Sequence, residues 1–147
     1  MAKLKIPGKA EWSGHESDLD VRNAHELFFG RPYPELVQHF GGGRGIGRAD
    51  ELLFMPRAAF QYYVMAFVEY LRTPEAEGDS DAASPFLRLL ISREKRDPGS
   101  VRQIYDRLSE IVDFVATNQS YYDADPNIYG SFADLAAEIR SQVGHDA

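Results

Sequence analysis

Three acidic residues recur along a stretch of strong helical periodicity. Asp106, Glu110 and Asp113 are spaced i, i+4 and i+7, which places them on one face of a helix. The apolar residues of the stretch take the opposite face, so the three carboxylates form an acidic stripe. Ordinary solvation of a helix face explains such a stripe, and so does recognition of a basic partner. Asp123 and Asp125 follow closely and favour the second interpretation.

The spacing of Asp123, Asp125 and Asn127 also matches the start of a calcium-binding loop. Such a loop needs a sharply turning sixth position, normally glycine, and a bidentate glutamate at the twelfth. Here Ile128 and Asp134 occupy those positions. The pattern therefore favours a turn in which the short polar side chains bond nearby backbone N–H groups. We predict no metal site.

A glycine-rich segment, residues 41–47, has five glycines in seven positions. A phosphate-binding loop of the form G-x-x-x-x-G-K needs its lysine, then Ser or Thr, after the last glycine. Arg48 and Ala49 stand there instead. Glycine freedom favours a flexible, dispensable connector. The alternative is an anion site at Arg44 and Arg48, and with it a nucleotide- or small-molecule-binding protein, even an enzyme, that uses residues 41–48.

No catalytic group is predicted from the sequence. The four histidines form neither an HExxH pattern nor an i, i+4 pair, the chain has no cysteine, and no G-x-S-x-G pattern surrounds a serine. A nucleophile with a nominated base is therefore missing, and we expect a protein without a cofactor that is not an enzyme.

The charge of the chain restricts its partners. The formal net charge is -7, and the last third of the chain carries most of the excess. An acidic surface disfavours nucleic acid and anionic membranes and favours basic proteins. The absence of cysteine fits a reducing cytoplasm, and the basic first residues precede no apolar run of a secretory signal.

The strongest structural signal is an apolar stretch that begins at Phe54. Pro56 suits a first helical position, and the polar residues that follow, Arg57, Gln61 and Glu69, fall on one narrow stripe. A helix that is apolar nearly all round is a buried one. At 16 residues it is too short for a bilayer, which takes about 20.

Further helices are expected around this central helix. We therefore predict a mainly α, single domain over residues 1–147, a bundle of about five to six helices with at most a short strand near the N-terminus. Residues 1–16 are expected to be a loose arm and residues 73–83 an exposed loop. The other helices are predicted at residues 18–29, 34–40, from Ser84 to 96, from Ser100, with Gln103 as its capping-box partner, and from Ser131 to Gly144.

The residues that begin the central helix carry a family resemblance. Phe54-Met55-Pro56, then Phe60 and Tyr62-Tyr63, together with residues 23–30, resemble a pattern of small uncharacterised bacterial proteins. Some of these are similar to immunity-type or toxin-neighbourhood proteins. The resemblance implies a helical core and carries over no catalytic residue. We therefore expect a non-enzymatic interaction protein, of immunity type, that binds a basic partner through Asp106, Glu110, Asp113, Asp123 and Asp125.

Overall fold

The computed structural model describes residues 4–144. Over that range the chain is all-α, with no strand, and one hydrophobic core joins its elements. Short 3-10 segments cover Ala10–Trp12, Tyr33–Phe40, Pro74–Ala76 and Arg102–Ile104. The α-helices are α1 (Leu19–Phe28), α2 (Gly45–Phe54), α3 (Arg57–Arg72), α4 (Ser80–Arg96), α5 (Tyr105–Thr117), α6 (Pro126–Tyr129) and α7 (Phe132–Val143). The mainly α class is confirmed; α2 and α6 were not predicted.

Helix α3 is the centre of the bundle, as its composition predicts. It begins directly after Pro56, and ten of its residues are buried. Phe67 is fully buried, with its ring centroid 4.7 Å from that of Phe40 and 5.2 Å from that of Phe86. These rings come from the 3-10 segment before α2 and from α4, so α3 is covered on more than one side. No helix within residues 4–144 is long and apolar enough to cross a bilayer.

The N-terminal segment is packed rather than loose. Trp12 is completely buried at the end of its 3-10 turn, and its ring meets the His25 ring edge-on at 5.4 Å. The His15 ring in turn stacks on the His25 ring, nearly parallel to it, with 3.9 Å between the ring centroids. The prediction of a loose arm is therefore wrong around Trp12, because an indole buries a large apolar area. Residues 1–3, the beginning of the predicted arm, lie outside the described range.

Residues 73–83 are not an exposed loop. They contain a 3-10 turn and the first turn of α4, which starts at Ser80 rather than at Ser84. Ala76, Ala82 and Ala83 are fully buried. The acidic residues between them suggested solvent, but alanine is both a strong helix former and small enough to pack closely.

A charged cluster joins the end of α4 to the end of α2, the start of α3 and the turn that precedes α5. We define it as Arg57, Arg93, Glu94, Asp97 and Ser100. Arg93 is only 3% exposed, and its guanidinium donates hydrogen bonds to main-chain carbonyls at the end of α2, including those of Leu53 at 2.7 Å and Met55 at 2.6 Å. These are the carbonyls that a helix end leaves without partners.

The carboxylates of the charged cluster complete it. Asp97 accepts a hydrogen bond of 3.0 Å from Arg57 Nε and lies 3.3 Å from Arg93 Nη2. The Arg57 guanidinium lowers the pKa of Asp97, because the hydrogen bond favours the ionised form. Glu94 accepts the backbone N–H groups of Gly99, Val101 and Arg102. Glu94 thus does the capping that the sequence assigned to Ser100 and Gln103, and α5 begins only at Tyr105.

Candidate functional site

Helices α2 and α4 approach each other closely at Gly45. A Cβ on Gly45 would lie 2.4 Å from the carbonyl oxygen of Asp81 and 2.7 Å from Cα of Ala82, so only glycine fits. Pro85, four residues after Asp81, lies inside α4 and has no N–H to donate to that carbonyl. Gly45 and Pro85 together let the start of α2 lie against the first turns of α4.

A groove opens along the outer side of this helix pair. Its volume is about 340 Å³. Its buried wall is mainly apolar and includes Ala49 and Leu89 next to the polar Ser84. Ile46, at 55% exposure, stands at its rim. Asp50 and Asp81 also line the groove and are exposed, one on each helix. The groove is therefore an apolar concavity with a carboxylate on each side.

The short helix α6 closes one part of the groove through Tyr129. The Tyr129 hydroxyl accepts a hydrogen bond of 3.0 Å from Ser80 Oγ and lies 3.4 Å from Asp81 Oδ1. Arg88 donates to the Tyr129 carbonyl at 2.8 Å. None of the residues of α6 is buried, and Ile128 is 73% exposed. Polar contacts to α4 and the packing of the partly buried Tyr129 against the core hold this helix in place.

The three carboxylates of the acidic stripe on α5 differ in how close they lie to arginines of the chain. Asp113 forms an ion pair with Arg140 of α7 at 3.1 Å. Glu110 lies 4.0 Å from the guanidinium of Arg72, at the outer limit of an ion pair. Asp106 is exposed. Two of the three carboxylates thus face arginines of the chain itself, which reduces the negative potential of the stripe.

The other two acidic residues, Asp123 and Asp125, lie in the connection before α6. Asp125 is the N-cap of α6, because its side chain accepts the N–H of Asn127 at 2.9 Å. Asp123 has a φ of 57°, a conformation that Asp tolerates in turns. The turn interpretation of this segment is confirmed. Neither Asp123 nor Asp125 lines the groove.

The glycine-rich segment is ordered by specific contacts. A Cβ on Gly41 would lie 2.7 Å from the ring of Tyr70, and Gly42 and Gly43 have positive φ angles of 65° and 82°. From Gly45 onward the chain is already α2. Interpreting the segment as a flexible, dispensable connector is therefore wrong: close approach or left-handed backbone requires glycine at several of its positions.

The two arginines proposed for anion binding are engaged within the chain. Arg44 donates to the carbonyls of Gly41 at 2.9 Å and Gln38 at 2.8 Å. Arg48 Nε lies 2.9 Å from Glu51 Oε1. Burial raises the pKa of Glu51, although Arg48 opposes that shift. No contact here favours a phosphate over the partners that the arginines already have.

The polar groups of the groove lining are hydroxyls, two carboxylates and the guanidinium of Arg88. Ser84 and Ser92 contribute hydroxyls to its lining, but no histidine lies there to act as a base. Among the residues that the structure describes, no group of three or more His, Asp or Glu side chains is placed to hold a metal ion.

Comparison with known proteins adds no relative. No protein-family model matches the chain, and no curated protein or solved structure matches it either. The arguments for function therefore rest on the geometry of this chain.

Sequence reasoning missed both the groove and the charged cluster. One signal for the cluster was present: Arg93 falls at helical spacing from the buried Phe86 and Leu90, on the apolar face of its helix. A charged residue on such a face indicates a buried partner set. For the groove, no local signal exists, because its two walls are about 40 residues apart in sequence, as the spacing of Ala49 and Leu89 illustrates.

Proposed function

We propose that this protein is a non-enzymatic protein–protein interaction module that binds a basic protein partner. An immunity-type role in a bacterial cytoplasm, in which the module neutralises that partner, belongs to the proposal. The observation that carries it is the apolar groove between α2 and α4, bordered by Asp50 and Asp81 on a chain of net charge -7. Exposed apolar concavities with a polar rim are typical of interaction sites.

The charge of the chain supports a basic partner in particular. Opposite charges raise the association rate, and salt weakens that effect over about 10 Å at 0.1 M. The α5 stripe and the groove rim are two surfaces that can supply this attraction. The exposed carboxylate of Asp106 belongs to the first, and Asp50 and Asp81 belong to the second.

The experiment compares three classes of ligand on the same protein. Basic helical peptides, acidic peptides of matched composition, and a set of nucleotides are each added while the melting temperature and binding are measured. The proposal expects binding of the basic peptides alone, weaker at higher salt. If nucleotides raise the melting temperature and basic peptides do not, the module is a nucleotide-binding protein and the proposal fails.

A further inference from the structure

The groove between α2 and α4 combines acidic residues with an apolar wall, so it restricts the shape of a ligand more than an acidic surface alone does. Its apolar wall is made of side chains that the fold already buries, such as Ala49 and Leu89, and Ile46 continues that wall outward at 55% exposure. An aliphatic side chain in such a position gains burial only when a second apolar group covers it. The groove is therefore shaped to receive an apolar side chain.

The charges along the groove determine which ligand residues can flank the apolar side chain that the groove receives. Asp50 lies on α2 and Asp81 on α4, and neither forms a salt bridge within residues 4–144. Arg88, the one cation among the described residues of the lining, donates to the carbonyl of Tyr129. An apolar floor thus lies between two exposed carboxylates, which complements an apolar group with a cation on each side of it.

The size and the walls of the groove favour a helical ligand. A volume of about 340 Å³ is near the lower limit of about 300 Å³ for small-molecule pockets, so it suits a few side chains better than a cofactor. Two packed helices form its walls, as in sites that take an amphipathic helix. On a helix, residues one turn before and after an anchor lie about 6 Å from it along the axis.

We infer that the α2–α4 groove binds a basic helix of the partner, with one large aliphatic residue in the groove and Lys or Arg one turn before and after it facing Asp50 and Asp81. This inference rests on the proposed function and adds the place and the chemistry of binding. It moves the contact surface from the α5 stripe to the α2–α4 pair. In this arrangement the aliphatic residue of the partner helix packs against Ile46.

The test uses a designed probe. An alanine-based helical peptide carries one central leucine, with lysines one turn on either side. Two comparison peptides replace the lysines by glutamate or the leucine by alanine. Each is titrated into the isotopically labelled protein, and amide chemical shifts in NMR spectra report both the affinity and the residues contacted. We expect shifts centred on Ile46, Ala49 and Leu89, and at least about tenfold weaker binding of both comparison peptides.

Matched variants separate the groove from the rest of the surface. Ile46→Asp should weaken binding of the lysine peptide about tenfold or more, whereas Leu19→Asp should change it less than about twofold; Leu19 is 66% exposed on α1, outside the groove. Asp50→Asn with Asp81→Asn should weaken binding and reduce its salt dependence. Asp106→Asn, a matched loss of an exposed acid on α5, should do neither.

The outcomes distinguish this inference from the proposed function. If the lysine peptide binds but Ile46→Asp weakens it no more than Leu19→Asp does, the groove is not the site and the inference fails while the proposed function stands. If instead the loss appears in a variant with Asp106→Asn, Glu110→Gln and Asp113→Asn, binding belongs to the α5 stripe. If basic probes do not bind at all, both the inference and the proposed function are rejected.

Discussion

Replacing Arg93 by methionine tests the charged cluster most directly. Methionine keeps an unbranched apolar stem of similar length and removes only the guanidinium. That group donates to the carbonyls of Leu53 and Met55, at 2.7 and 2.6 Å, and contacts Asp97 and Ser100. In Arg93→Met these acceptors lose a shared donor in a place that water does not reach, because the side chain is nearly fully buried.

The expected cost follows from those contacts. A hydrogen bond to a charged group contributes about 1.5–3 kcal/mol, and several are lost together. Part of this loss is offset, because Arg93→Met also removes a buried charge. Burial disfavours that charge and lowers the pKa of Arg93. Removing one partner of a buried ion pair costs about 3–5 kcal/mol, and we expect the free energy of unfolding to fall by that amount.

Arg96→Met is the matched control. Arg96 lies on the same helix but is exposed, and its guanidinium sits over the Phe54 ring at 4.6 Å. Such a contact contributes about 0.5–1 kcal/mol at an exposed site. Urea unfolding of both variants, followed by far-UV circular dichroism, gives the two losses. A loss below about 1 kcal/mol in Arg93→Met, no larger than in the control, would refute the view that Arg93 caps the end of α2.

Four further substitutions test the rest of the fold. Phe67→Ala should lower the free energy of unfolding by about 3–5 kcal/mol, because a fully buried ring leaves a cavity. Gly45→Ala should cost about 1–3 kcal/mol through its clash with α4, whereas Gly47→Ala, with open space around its Cβ, should gain about 0.5–1 kcal/mol. His25→Asn should make stability less sensitive to acid between pH 7 and pH 5.

The sign of the His25 effect comes from its environment. Partial burial lowers the pKa of His25, and the stacked ring of His15 lowers it further. As the pH falls through the unfolded value of about 6.5, the unfolded chain takes the proton before the folded chain does, so stability decreases. Urea midpoints at several pH values measure this. An unchanged pH slope in His25→Asn would contradict the assignment.

Urea unfolding also tests the substitutions at Phe67 and at the two glycines. A loss below about 1 kcal/mol for Phe67→Ala would place α3 at the surface. Equal effects of alanine at Gly45 and Gly47 would mean that the approach of α2 to α4 is not as close as described. They would also restore the expectation of a dispensable glycine-rich segment.

Local patterns predicted those parts of the fold that depend on neighbouring residues. Pro56 marked the start of α3, and Ser131 caps α7 as expected, since its hydroxyl accepts the N–H of Asp134. Gly144 ends that helix in the left-handed conformation at φ 72°. Each of these features involves residues within about one helical turn, where spacing and residue type suffice.

Features that depend on distant residues were not predictable in this way. Gly45 looked like part of a flexible loop because the close approach of Asp81 is invisible in the sequence around it. Ser84 and Pro85 looked like a helix start, since proline is most common in the first turn, but Pro85 lies inside α4. The candidate groove depends on both, so sequence spacing indicated an acidic surface without its apolar centre.

The burial of α3 on several sides has a consequence for the synthesis of the chain. A ribosome adds about 5–20 residues per second, so α3 is complete for some seconds before α4 and α5 exist. The Tyr33–Phe40 segment can cover one side at once, but the side that meets Phe86 stays open. Synthesis that stops between residues 73 and 80 leaves an uncovered aromatic surface, and such fragments are expected to aggregate rather than fold in part.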